Sequence, residues 1–323
     1  MTTGFLGSFN NESSANSFGL PSFANCIISN IKNVPSKRFI TINDGTRDCI
    51  RLPKEFTGTS MSVGYRRVDA KGSSGVSEWL VTAQMLADYV NVTSTGFVFG
   101  HAHIQNDNLY ILCNPKNRNN TFSYSYIFKI NVNTGAIVSA YSISGSAISN
   151  AINGMQANYI FFDVSSDETT ISFLTGTEYS SATTTHKVRI FTWDFINDVK
   201  TSDVVIFEYV ASASDYYLND IVPTYLSADG HFSVLRSNNA VFLVHDEFGP
   251  VIVSENDSDK LFYFVSRTTN SSMNMVVDNK IFQGREYSDS LNSSPDSIID
   301  TLYRSEFDKY LKLCFEKLTG IIL

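Results

Sequence analysis

Charge is what this sequence has least of. Charged residues are 17% of its 323 positions, against roughly a quarter in an average soluble domain. Ser, Thr and Asn take their place, with 16 Tyr and 24 Phe. Solubility here rests on neutral polar groups. A surface of that kind goes easily against other subunits, because few Lys or Glu must be desolvated. The 24 Lys and Arg are outnumbered by 32 Asp and Glu, leaving a net charge of −8. A general nucleic-acid binder needs a basic stripe to release counterions, so nucleic acid is excluded as a partner. The one compact basic group, Arg66, Arg67 and Lys71, reads as a solvated loop.

Other absences narrow the field further. The four cysteines, Cys26, Cys49, Cys113 and Cys314, form no CxxC pair, and no histidines stand at zinc-finger spacing. They read as reduced, mostly buried thiols. The opening Met1-Thr2-Thr3-Gly4-Phe5-Leu6-Gly7 has neither the basic nor the apolar region of a signal peptide. No apolar run approaches the roughly 18 residues of a membrane span. The expectation is a chain made in a cytoplasm and kept there, or released by lysis, without membrane insertion. There is no G-x-S-x-G elbow, no phosphate-cradling glycine loop and no dinucleotide fingerprint.

What is present is β-structure. Residues 1–35 are rich in Ser, Asn, Gly and Phe without a period, and read as an extended arm. From Arg38 the strand signals begin, with Arg38-Phe39-Ile40-Thr41-Ile42 running into a hairpin-type turn at Asn43-Asp44-Gly45. Ser77 is placed to cap a helix in which Trp79, Leu80, Ala83, Leu86, Ala87 and Val90 share a face. Phe122, Tyr124, Tyr126, Phe128, Ile130 and Val132 alternate with Ser123, Ser125, Ile127, Lys129 and Asn131. The turn Asn131-Val132-Asn133-Thr134-Gly135 then leads into a second strand, Ala136 to Ile143, which makes a hairpin. Later strands are apolar on both faces: 159–162, 204–207, 240–244 and 261–265. No helical segment separates them, so the sheets must cover one another.

A repeat supports that reading. Asn106-Asp107-Asn108, Ser166-Asp167-Glu168 and Ala228-Asp229-Gly230 each precede a strand, with about 60 residues from one Asp to the next. The run from Ser227 to Val234, followed by Val241 to Asp246, resembles a β-propeller blade of the WD-repeat or quinoprotein-like kind, as does Tyr126 to Val138 with its Asn-x-x-Thr-Gly turn. The resemblance covers residues 97–265. It lacks the Trp-Asp and Gly-His dipeptides in register, so it names no subfamily and carries over no residues. It implies an all-β chain: a β-propeller of five or six blades over residues 36–290. The N-terminal arm of residues 1–35 precedes it. An amphipathic C-terminal helix over 291–323 follows, capped by Ser294 with Pro295 at its first position and Ile299, Tyr303, Phe307, Tyr310, Cys314 and Leu318 on one face. That stripe is equally suited to its own domain or a neighbour's.

Candidate chemistry is sparse. His101 and His103 form an H-x-H pair whose side chains share one face of a strand, with Asp107 as a conceivable third metal ligand. A single such pair is better read as a polar strand edge. His231 and His245-Asp246 invite an acid–base reading. Asp163, Asp229 and Asp246 are the carboxylates that a glycosidase would need to bring together near the axis. Each reads first as a turn residue. We assign no catalytic, cofactor-binding or metal-binding residue, and expect a non-enzyme without cofactor. The polar-aromatic, low-charge β style is similar to that of tailed-bacteriophage tail and fibre proteins. This resemblance implies a structural virion component, in tail, neck or fibre, whose partners are other virion proteins, copies of itself and a host-surface glycan. A propeller-fold glycan hydrolase or lyase, or a glycan-binding module, is the alternative.

Overall fold

The computed structural model describes residues 77–93, 96–116, 125–152, 155, 159–177, 184–211, 221–236, 241–253 and 301–323, together with strands at 32–34, 40–42, 48–51, 55–56, 62–67, 272–277, 280–285 and 297–299. These residues are mostly β. After β1 (Lys32–Val34), a first four-stranded sheet consists of β2 (Ile40–Ile42), β3 (Asp48–Arg51), β5 (Ser62–Arg67) and β6 (Ser77–Thr82); β4 (Glu55–Phe56) leaves it to pair elsewhere. A short helix, α1 (Ala83–Tyr89), leads to the second antiparallel meander. Its strands are β7 (Gly96–Gln105), β8 (Asn108–Lys116), β9 (Tyr126–Asn131) and β10 (Ile137–Ser142). After α2 (Ser149–Ile152) comes the third, β11 (Ile160–Val164), β12 (Thr170–Thr175), β13 (Thr184–Asp194) and β14 (Val199–Ala211). The fourth is β15 (Val222–Leu226), β16 (Phe232–Arg236), β17 (Val241–His245) and β18 (Gly249–Val253). The chain then adds β19 (Ser272–Val277), β20 (Lys280–Arg285), β21 (Ser297–Ile299), β22 (Thr301–Tyr303) and α3 (Arg304–Thr319). β19 pairs in parallel with β7, so β19, β20 and β22 extend the second sheet. β4 also joins that sheet, against β7.

The repeat seen in the sequence is the set of hairpin turns that builds these meanders. Asn106, Glu168 and Gly230 occupy corresponding turns between first and second strands, and all three have positive φ, at 51°, 56° and 81°. Gly135, Asp198 and Gly249 do the same between third and fourth strands, at 72°, 54° and 83°. In the third and fourth meanders the acid before the bend satisfies turn donors. Asp167 Oδ1 accepts from Ser165 Oγ and from Thr169 N, and Asp229 Oδ1 accepts from Ser227 Oγ and from His231 N. Asn131 and Asp194 act alike at the later turns, accepting from the amides two and three residues on.

Successive sheets pack face to face in chain order, which explains strands apolar on both sides. Along β8, Leu109, Ile111 and Cys113 face Trp79 and Val81 of β6, while Tyr110 and Leu112 face the third meander. In β11, Phe162 faces back to the second meander, and Phe161 faces forward to the fourth. The forward face of the fourth meander is covered by α3, whose Phe307, Tyr310, Leu311, Cys314 and Phe315 are buried in the same cluster as Phe232, Val234 and Leu243. Cys113 and Cys314 are buried. Among the described residues, no helix is long and apolar enough to cross a membrane.

Two expectations need correction. Ser77–Thr82 is strand β6, not the first turn of a helix; α1 starts at Ala83 and is capped by Thr82, whose Oγ1 accepts from Met85 N. The C-terminal helix starts at Arg304, not Pro295, because 297–299 and 301–303 are drawn into sheets by β1 and β20. That first pairing also puts Lys32–Val34, the end of the expected arm, against Ser297–Ile299. The rest of that arm and the strand expected at 261–265 lie outside the described residues.

Candidate functional site

The inner strands β7, β11 and β15 bring together the few polar groups buried among them. His101 and His103, two apart on β7, both face β11 and β15, as an alternating strand requires. His101 Nε2 lies 3.2 Å from the carbonyl oxygen of Pro223, and its ring packs edge-on against Phe161 at 4.7 Å. His103 is 1% exposed, with Nδ1 at 3.0 Å from Asp163 Oδ1 on β11. These two atoms lie close without the alignment of a full hydrogen bond. The other carboxylate oxygen of Asp163 is 2.7 Å from Arg304 Nη2 at the start of α3. Arg304 also donates to the Leu226 carbonyl, 2.8 Å away, and stacks over the Tyr225 ring at 5.9 Å. Tyr225 in turn donates to Asp308 Oδ1 at 2.6 Å.

The electrostatics identify this cluster as a clasp. Burial pushes the Asp163 carboxyl up, but His103 and Arg304 outweigh it and hold it at about 2. Burial also works against the charged Arg304, but Asp163 and Tyr225 raise its pKa, so the guanidinium stays charged. A carboxylate held this low, matched to a guanidinium, donates no proton near neutral pH. Asp107 is on the exposed β7–β8 turn, apart from the buried His103. Among the described residues, no group of three or more His, Cys, Asp or Glu is set to hold a metal.

The other nominated residues meet at the fourth meander's turns. Asp246 lies between two histidines, 3.0 Å from His231 Nδ1 and 3.2 Å from His245 Nδ1. The two rings stack at 5.9 Å. The hydrogen bond to Asp246 raises the His231 pKa, while burial lowers that of His245. Asp229 completes its turn beside them. Asp229 and Asp246 thus converge on His231, whereas Asp163 belongs to the inner strands. The three carboxylates do not form one site. Phe232, Phe248 and Phe315 pack around His245, which fits a turn anchored to the core.

No protein-family model and no curated protein matches this chain. Solved structures similar to it include the β-propeller domain of the Trilobed protease from Pyrococcus furiosus, at a TM-score of 0.28 and 10% identity over 62% of this chain and 52% of that one. The Dos1 propeller gives a TM-score of 0.31 and 9% identity over 82% and 53%. A prolyl endopeptidase gives 0.34 and 11% over 78% and 32%. The match thus spans about half or less of each of these structures.

Sequence reasoning missed Arg304, Asp308, Glu168 and Tyr225. Arg304 carried a signal: it lies in line with Phe307, Leu311 and Cys314, and a cation in the middle of an apolar stripe calls for a buried partner. Glu168 carried none. It is a non-glycine at positive φ, held there by Lys129 Nζ at 2.5 Å, Tyr110 OH at 2.5 Å, Asn106 Nδ2 at 2.7 Å and Asn108 Nδ2 at 3.0 Å. It latches the third meander to the second.

Proposed function

We propose that this chain is a structural subunit of a tailed-bacteriophage particle, in tail, neck or fibre, working through contacts with copies of itself and with other virion proteins. The observation that carries this reading is the outer rim of the third meander, where Val199, Val204 and Val205 on β14 and Ile196 at the preceding turn are all exposed. A chain with so few charges that places aliphatic side chains on an outermost strand has a surface suited to burial against another subunit. On this reading the four meanders are blades of the expected propeller of five or six, and β19, β20 and β22 extend the second of them. A host-surface glycan is a further partner of such a particle.

The alternative, a glycan-active enzyme or glycan-binding module, draws on the nearness of His101, His103 and Asp163. Against it stands the pairing of Asp163 with Arg304, which commits that carboxylate to holding α3. Deleting the gene from the encoding phage tests the assembly reading. The expected outcome is particles lacking one substructure, restored when the chain is supplied in trans. Complete, infective particles from the deletion would overturn it.

A further inference from the structure

The three outermost strands of the central meanders are not alike. On β10, Tyr89 of α1 donates to the Val138 carbonyl at 3.1 Å and occupies that edge. β18 has five residues and contains Pro250, which has no amide hydrogen to offer a further strand. β14 has thirteen residues, and among the described residues no strand pairs with its outer side. Long open edges are templates for another strand, and natural sheets usually protect them as the other two are protected here. Register shifts against β13 mark bulges at Thr201 and Ile206, which confine the regular part of the edge to Ser202–Val205.

The register for a second copy follows from faces and charges. Lys200, Asp203, Val205 and Glu208 lie opposite Trp193, Phe191, Arg189 and Lys187 and share one face, as the Arg189–Asp203, Lys200–Asp203 and Lys187–Glu208 ion pairs require. Ser202, Val204 and Phe207 share the other. A two-fold axis perpendicular to the sheet brings like faces together, and directly opposed residues must share a face. A centre between Asp203 and Val204 breaks that rule. A centre on Val205 breaks it too, setting Asp203 against Phe207. A centre on Asp203 opposes two carboxylates. A centre on Val204 obeys the rule, sets Val204 against Val204, and puts Lys200 of each copy opposite Glu208 of the other, twice.

We propose that β14 pairs edge to edge with β14 of a second copy, antiparallel about a two-fold axis at Val204. This surface rests on the assembly reading above and specifies it. The test is sedimentation equilibrium of the full chain, with thermal melts to check that each variant is folded. The wild type dimerises. Val204→Lys places two ammonium groups at the axis and abolishes the dimer. Lys200→Glu or Glu208→Lys alone weakens it about tenfold, since each turns two attractive cross-strand pairs repulsive. Lys200→Glu combined with Glu208→Lys restores it, because the pairs are reversed and not lost. A wild type that sediments as a monomer up to its solubility limit overturns the proposal. So does a dimer indifferent to all these changes, an outcome that would leave the assembly reading standing, since the gene deletion tests that reading independently.

Discussion

Gly135 has φ at +72°, and a methyl group there would lie 2.6 Å from the Trp79 ring, whose Nε1 donates to the Val132 carbonyl. Gly230 has φ at +81° with open space where a methyl would go. Gly230→Ala is expected to cost about 1 kcal/mol from backbone conformation alone, and Gly135→Ala about 3 kcal/mol because overpacking adds to it. Urea unfolding separates the two; equal losses would show that Trp79 does not seat on Gly135. Glu168 gives a pH signature. Burial pushes its carboxyl up, but Lys129, Tyr110, Asn106 and Asn108 hold it at about 2, below its ordinary 4.5. A depressed carboxylate contributes stability above its unfolded value and loses it as pH falls through the folded one. Glu168→Gln is therefore expected to destabilise by about 2 kcal/mol at pH 7. Unfolding curves of variant and wild type should converge between pH 4.5 and 2; a gap that persists at pH 2 would contradict the latch. The turns around these residues were legible because their chemistry is local: an acid or Asn, then a residue that tolerates positive φ. The latch was not, since Glu168 meets groups about forty to sixty positions away.

At the scale of elements, strands read well and helix starts read badly, for one reason. Ser77 and Ser294-Pro295 are sound local capping signals, but β5 claims Ser77–Thr82, while β1 and β20 claim the residues ahead of Arg304. Strand pairing with distant segments overrode local preference. The apolar stripe of α3 was visible in the sequence; its destination was not. That destination is the fourth meander, with Phe307 edge-on to Tyr225 at 4.7 Å and Phe315 to Phe232 at 6.0 Å. Phe307→Ala should then cost about 3–5 kcal/mol in thermal or denaturant unfolding. A neutral result would move the helix off its own domain. The Arg304–Asp163 clasp is open to a double-mutant cycle. Arg304→Met and Asp163→Asn should each cost about 3 kcal/mol, and the pair much less than their sum, because each single change leaves a buried charge unmatched. Additive losses would mean that the clasp does not hold α3 to β11.

At the scale of the molecule, mutual cover of sheets was legible because doubly apolar strands without intervening helices permit little else. What the sequence could not convey is that α3 replaces a sheet on one face of the fourth meander, and that β19 joins β7 in parallel. Both depend on contacts across most of the chain. Among the described residues, the buried ionic groups hold elements together and no strand pairs with the outer side of β14; the proposed function lies on that surface, in assembly. The most direct test of the proposed virion role is quantitative mass spectrometry of particles purified from a lysate of cells in which the chain is expressed from its native gene. The account predicts the chain in those particles at a fixed copy number relative to the major capsid protein, unchanged by further purification. A chain found in the lysate and absent from the particles would contradict it.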